Sequence, residues 1–451
     1  MISKAVVMVG GGSRGTRFRP LALDQAKIMF PIAGKPLLAH TIDAILTVPT
    51  IKEILLIGFY DASVISDLIL DFNTQLKFSG RDCTLKYLKE FKALGTAGGL
   101  YHFREEILRG NPDGFLVIHG DIVCSFPLQD MIRVYETKVR EAEKIDALLF
   151  GVKLSNYDLF VALNGSEQSS FGTIASQDDG KVVHYVEKPE SKISDVINGG
   201  IYIFNESLFR RLSHAKISKI TIANDNTNFE FVDEDVISME KDILHNIPDF
   251  GKTYVYQYKG FWKAIKTPSD ALWANELYLE RIAQDKSVVA NKMLQKPSIN
   301  IKPPVLIHPS ATVNYENGTK IGPYVSIGRN CVVGAGTRIS NSIILDGCEV
   351  GENSIILNSI ISLNCKIGNW SRIEGTGINL ISINDIVKRN GPTKIKKVLN
   401  ADNSRVIGIK DSGNICILGS GTHINDDLYV LNSFILPNKS IKDDVRYEIV
   451  M

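Results

Sequence analysis

In the second half of the chain, isoleucine or valine followed by glycine recurs every six residues: Ile321-Gly322, Ile327-Gly328, Val333-Gly334, then Ile339. After one slip the period resumes through Ile344, Val350-Gly351 and Ile356, and after a second through Ile361, Ile367-Gly368 and Ile373. One inward aliphatic side chain per hexapeptide is the pattern of a left-handed parallel β-helix, in which three hexapeptides close a triangular coil of about 18 residues. A β-sandwich would alternate with period two, and that alternation is absent. The period assigns residues 301–451 to a solenoid. It vanishes between 376 and 414, and "ICILGSGTHI" and "YVLNSFILPNKSI" restore it. That interval holds the basic stretch "VKRNGPTKIKKVLNADNSR". So long a loop in a compact domain is either functional or a tolerated insertion, and both readings stay open.

The first half has another texture. "KAVVMVG", "EILLIGF", "TLKYLKE" and "GFLVIHGDI" read as strands, and Pro36 to Thr47, Ser63 to Phe72 and Ala97 to Leu108 show helical spacing. This alternation predicts an α/β domain over residues 1–285: a mostly parallel sheet covered by helices, with 286–300 as linker. Ligands of such sheets lie beyond the carboxyl ends of the strands, where the first loop and the Asp121 loop fall.

Composition excludes several classes. The 51 basic and 50 acidic residues balance, so no nucleic-acid partner is implied. No apolar run approaches the ~20 residues of a membrane helix, and the amino terminus lacks the pattern of a signal peptide. The six scattered cysteines form no C-x-x-C pair, as expected of reduced core thiols in a cytoplasmic protein.

The stretch "MVGGGSRGTRFRPLALDQAKIMFP" contains G-x-G-x-x-G at Gly10, Gly12 and Gly15, directly after a strand. A dinucleotide fold needs a helix to run on from such a loop, and Pro20 forbids it. The acidic residue expected about 20 positions later is also missing. A Walker loop fails too, because Thr16-Arg17 follows Gly15. What remains is a loop rich in backbone N–H groups, then Arg17, Arg19 and Lys27. Such donors suit a triphosphate whose α-phosphorus is attacked, since charge accumulates on its oxygens. A glycine-rich turn with solvated basic residues is the blander alternative.

The stretch resembles the signature of the sugar-1-phosphate nucleotidyltransferases, GGxGTRxRPL with a following lysine. The matching residues are Gly10-Gly11, then Gly15-Thr16-Arg17-Phe18-Arg19-Pro20-Leu21, with Lys27 as the lysine. Three residues, Gly12-Ser13-Arg14, stand between GG and GTR where active members usually have one, and Lys27 lacks its flanking prolines. "EFKALGTAGGL" resembles the family's LGTAG motif, which implies Gly95 and Thr96 against the nucleotide. "VIHGDIVCSFP" carries the family aspartate, Asp121, implied to hold Mg²⁺. "FGTI" (Gly172), "VEKP" (Glu187, Lys188) and "NGGIY" (Asn198, Gly199) resemble the sugar-phosphate pocket. There the resemblance implies Glu187 and Asn198 on sugar hydroxyls and Lys188 on the phosphate. Among these families the GDP-mannose pyrophosphorylases append a hexapeptide β-helix, and the widened first loop and the long β-helix interruption resemble their alpha, regulatory type.

The implied reaction is attack by mannose 1-phosphate on the α-phosphorus of GTP, giving GDP-mannose and diphosphate, with Mg²⁺, Arg17 and Lys27 neutralising phosphate charge. Active relatives supply a second metal aspartate from "WxDIGxP". Here the segment reads Trp262-Lys263-Ala264-Ile265-Lys266-Thr267-Pro268. Alanine cannot ligate a metal, so of the usual pair of metal aspartates the resemblance leaves Asp121. Either Lys266 substitutes for the metal, or metal binding is weak and catalysis is lost while a nucleotide-sugar site persists. Asp270 is expected on the helix after Pro268 and not to rescue the site. The expectation that follows is a regulatory subunit that binds GDP-mannose and joins a catalytic homologue in an oligomer. The alternatives are an active mannose-1-phosphate guanylyltransferase and, of another class, a structural subunit of a translation-initiation nucleotide-exchange complex.

Overall fold

The structure is a computed structural model. It describes residues 2–11, 16–141, 145–154, 171–191, 193–225, 233–246, 252–285, 293–376 and 415–451. Gly12 and Gly15, part of the expected linker and nearly all of the interval 376–414 lie outside these residues. The chain divides into two compact units. The first comprises, among the described residues, 2–11 and 38–262; the second comprises 16–37, 263–376 and 415–451.

The first unit is built on a nine-stranded sheet. Lys4–Gly10 lies in its middle, parallel to Glu53–Gly58 on one side and to Phe115–His119 on the other. Thr84–Lys89 extends the parallel part beyond Glu53–Gly58. Ala5, Val6 and Val7 are fully buried, which is why this strand reads as an unbroken apolar run. On the other flank Val196–Phe204 runs antiparallel to Phe115–His119 and to Ala147–Lys153.

Two helical expectations are revised. Ser66–Phe78 runs six residues past Phe72 in the sequence, and Asn73 on that extension is tied to the edge strand, accepting from Leu85 N and donating to Leu85 O, each at 2.9 Å. The interval Ala97 to Leu108 forms two short helices, Gly98–His102 and Arg104–Leu108, interrupted at Phe103. Among the described residues no helix is long and apolar enough to cross a membrane, and all six cysteines are buried free thiols.

The second unit carries three parallel sheets of seven, six and six strands, each coil giving one strand to each sheet. Their inward residues Ile327, Val333, Ile339, Ile344, Val350, Ile356, Ile361, Ile367 and Ile373 form one core. The slips in the six-residue period have a structural cause. They fall at the corner occupied by Asn341 and Asn358, with φ of 43° and 47°, which turns the chain in one residue fewer. Asparagine tolerates this left-handed conformation better than most side chains. The two stack 17 residues apart, Asn341 Nδ2 donating to Asn358 Oδ1 at 2.8 Å, so a coil there is 17 residues rather than about 18. Other corners hold inward hydroxyls and thiols. Ser354 Oγ donates to Gly368 O at 2.8 Å and Cys348 Sγ to Ser362 O at 2.9 Å, which gives the buried cysteines a packing role. Ser359–Ile361 stacks on Cys416–Leu418, and Arg372–Glu374 on Tyr429–Leu431, so the ladder is continuous across the interrupted period.

Helix Pro268–Gln284 packs on this solenoid. Buried Asn275 accepts from Ala33 N at 2.9 Å and from Ser326 Oγ at 2.7 Å, tying helix, signature segment and coil together.

Candidate sugar-nucleotide site

In the first unit, Gly10 ends the central strand with φ 73°. Phe59 N donates to Gly10 O at 2.8 Å, and a Cβ on Gly58 would fall 2.3 Å from that oxygen. Gly11 follows, and a Cβ there would meet Phe59 Cβ at 3.0 Å. On the neighbouring strand Gly120 N donates to Met8 O at 2.9 Å, which sets Asp121 at the same carboxyl end. Tyr60 is its neighbour: burial, then the Asp121 charge, push this phenol up to about 12.

The Leu94–Gly98 loop is laced to a distant segment. Gly95 has φ 86°, and a Cβ would sit 2.3 Å from Ile237 O. Ala97 N donates to Ile237 O at 2.9 Å, and Ile237 N to Leu94 O at 3.0 Å. The Thr96 hydroxyl donates to Glu240 Oε2 at 2.8 Å and accepts from Met239 N at 2.7 Å. Ser238 Oγ donates to the same Glu240 oxygen at 2.9 Å. Burial opposes the Glu240 charge, yet His119, its own backbone N–H, Thr96 and Ser238 hold the carboxyl below its ordinary range.

Glu187 and Asn198 meet through a tyrosine. Tyr185 Oη donates to Glu187 Oε2 at 3.0 Å, and Asn198 Nδ2 donates to Tyr185 Oη at 3.2 Å and to Tyr202 Oη at 2.9 Å. Gly172 leaves room for this cluster, since a Cβ would lie 2.0 Å from Tyr185 Oη. A Cβ on Gly199 would meet the Phe150 ring at 2.3 Å, and Trp262 Nε1 donates to Gly199 O at 2.9 Å. Lys188 has φ 49°, and its exposed ammonium lies 3.6 Å from Glu187 Oε1. The His119 ring meets Tyr202 edge-on, centroids 5.7 Å apart.

The remaining signature residues belong to the second unit. Thr16 and Arg17 lie in the short 3₁₀ turn Thr16–Phe18, anchored by buried Phe18 against Phe30. Lys27 Nζ donates to Ile265 O at 3.1 Å. Ala264, next to it, is buried and ends strand Trp262–Ala264. Asp270 stands at the third position of helix Pro268–Gln284 as a cap. Its carboxylate accepts from Lys266 N at 3.0 Å, Thr267 N at 2.7 Å and Lys263 Nζ at 3.0 Å. Its oxygens are therefore committed to the helix start, as expected.

Sequence reasoning missed Tyr185, Tyr202, Glu240, His119 and Tyr60. Tyr185 had a signal: it stands two residues before Glu187, which follows directly on strand Val182–Val186. Glu240 had none, because its partner Thr96 is 144 residues away.

The family described as nucleotidyl transferase matches residues 4–236, and the family described as GMPPB C-terminal domain matches residues 301–450. A Schizosaccharomyces pombe protein named "Probable mannose-1-phosphate guanyltransferase" is 37% identical over 100% of both chains. The Xenopus tropicalis protein named mannose-1-phosphate guanylyltransferase regulatory subunit alpha is 34% identical, covering 99% of this chain and 100% of its own. Its namesake in Dictyostelium discoideum is also 34% identical, over 100% of this chain and 99% of its own. The chain belongs to the nucleotidyl transferase family and, within it, to the mannose-1-phosphate guanylyltransferases.

Proposed function

We propose that the chain is a regulatory subunit of GDP-mannose synthesis: it binds GDP-mannose and modulates a catalytic homologue with which it assembles. The observation that carries this reading is a split between two sets of residues. Glu187, Asn198 and their tyrosines form a connected hydrogen-bond network, while Ala264 offers a methyl group where active relatives place a metal carboxylate. Full-length similarity to proteins named regulatory subunit alpha supports it.

Mg²⁺ is the metal of the family chemistry, and the residues present do not fit a two-carboxylate site. Ala264 has no donor, Asp270 is committed to its helix, and no group of three or more His, Cys, Asp or Glu among the described residues is placed to hold a metal. In this reading Gly10, Gly11, Gly95 and Thr96 serve the nucleotide. Gly172, Glu187, Lys188, Asn198 and Gly199 serve the sugar phosphate, and Arg17 and Lys27 retain a phosphate-facing charge without turnover.

The test is an assay of purified chain with GTP, mannose 1-phosphate and Mg²⁺, alone and mixed with a catalytic homologue. The chain alone is expected to form little GDP-mannose and to change the homologue's response to GDP-mannose. Turnover by the chain alone at roughly 1 per second or more would overturn the reading in favour of an active enzyme.

A further inference from the structure

We infer that Tyr185 is a positioning residue that fixes the hydrogen-bond polarity of the sugar pocket, so that Glu187 and Asn198 meet a ligand only as acceptors. The inference rests on the reading above that a nucleotide-linked hexose occupies this pocket.

The direction of each bond follows from one group whose role cannot change. The Gly200 N–H can only donate, and it donates to Asn198 Oδ1 at 3.0 Å, which fixes the amide orientation. The two Nδ2 hydrogens then go to the phenol oxygens of Tyr185 and Tyr202, at 3.2 and 2.9 Å. A phenol that accepts from an amide keeps its own proton to give, and Tyr185 gives it to Glu187 Oε2 at 3.0 Å. Burial pushes the Tyr185 phenol far above its ordinary range, with Tyr202 and Glu187 adding to the effect, so that proton stays in place. The chain Gly200, Asn198, Tyr185, Glu187 therefore runs one way.

Among the described residues, what is left for a ligand is the second lone pair of Asn198 Oδ1 and the other carboxylate oxygen, Glu187 Oε1, which the exposed Lys188 ammonium approaches to 3.6 Å. Both accept. A sugar must therefore present hydroxyl hydrogens to this wall, and a group that can only accept is refused, because a buried acceptor facing another acceptor is left unpaired. Gly172 is part of the device: any side chain there would displace the Tyr185 hydroxyl.

The experiment is titration calorimetry on the full chain with GDP-mannose and with analogues in which one ring hydroxyl is replaced by hydrogen or by fluorine. Fluorine accepts and cannot donate. At each position where hydrogen weakens binding, fluorine should bind no better. A fluoro analogue that keeps parental affinity at such a position overturns the inference, and so does a series with no sensitive position. Tyr185→Phe, checked for an unchanged melting transition, should lose about tenfold or more in GDP-mannose affinity, the scale of a charged hydrogen bond. It should also narrow the fluorine penalty, because one Asn198 amide hydrogen is released toward the ligand. Equal affinity of Tyr185→Phe and parent overturns the inference. The analogue series uses the parent chain alone and stands even if the variant fails to fold. Absence of GDP-mannose binding by the parent removes the functional reading itself; parental binding with an indifferent Tyr185→Phe removes this inference alone.

Discussion

Lys188 holds a left-handed backbone, φ 49°, in a position where most side chains are strained. That conformation sets its ammonium 3.6 Å from Glu187 while leaving it largely exposed, a charge held near the pocket rather than consumed by a buried pair. Lys188→Ala is expected to weaken GDP-mannose binding by about 1.5–3 kcal/mol, measured by calorimetry, as a lost charged hydrogen bond would. Glu240 makes the opposite use of charge. Its folded carboxyl titrates below the ordinary 4.5, so the stability it contributes is fully present above that value and is lost as pH falls through the folded value. The Glu240→Gln variant should therefore show a flatter acid limb. Urea midpoints of parent and variant should keep a constant gap from pH 7 down to about 4.5 and converge as pH falls further, and a gap that persists below that value would show that the carboxylate is not the titrating group. The role implied for Thr96 also changes at this scale: its hydroxyl is taken by Glu240 and Met239, so a nucleotide would meet the loop through its backbone.

At the scale of the element, the β-helix shows how a period survives irregular corners. Inward aliphatics hold the register, and the corners absorb length by left-handed residues, mostly Asn and Gly. Tyr324, Trp370 and Tyr447 depart from this pattern; Trp370 takes φ 59° with its ring largely exposed, where Asn353 and Asp427 hold the same conformation on the coils before and after. Nothing in the coil core depends on that ring. Trp370→Asn should therefore raise stability by about 0.5–1 kcal/mol, read as a shift of the denaturation midpoint, by relieving backbone strain alone. A destabilised variant would mean that the ring packs to a purpose. Helix Pro268–Gln284 teaches a different lesson. The carboxylate of Asp270 accepts from Lys266 N, Thr267 N and Thr267 Oγ1 and pairs with Lys263, which is why an aspartate near Ala264 in sequence is committed to the helix start.

At the scale of the whole molecule, the solenoid stacks residues 359–361 on 416–418, 366–367 on 423–424 and 372–374 on 429–431, so none of these ladder pairs uses residues 377–414. Deletion of 377–414 with the flanking coils rejoined is expected to preserve assembly with a catalytic homologue and to abolish the inhibition of that complex by GDP-mannose. The check is an activity assay of the mixed complex; undiminished inhibition would make the interval a tolerated insertion. The basic residues Lys394, Lys396, Lys397 and Arg405 within it motivate the expectation.

Much of this was legible without coordinates. The recurrence of Ile327, Val333 and Ile339 specified an inward side chain per hexapeptide, and the run Ala5 to Val7 a strand buried on both faces. Both are local periodicities, carried by residues near one another in the chain. The motifs "VEKP" and "NGGIY" name a candidate sugar-phosphate pocket through family resemblance alone. Contacts between distant chain segments were not legible, because only folding brings those segments together. Thr96 meets Glu240 across 144 residues, Lys27 meets Ile265 across 238, and Ala33 meets Asn275 across 242. Sequence determined the periods, the motifs and the alanine at position 264. The tertiary structure decided which hydroxyl was already spent, which carboxylate was a cap, and which way the protons in the pocket point, because hydrogen-bond direction depends on every neighbour a donor finds and local sequence names only a few of them.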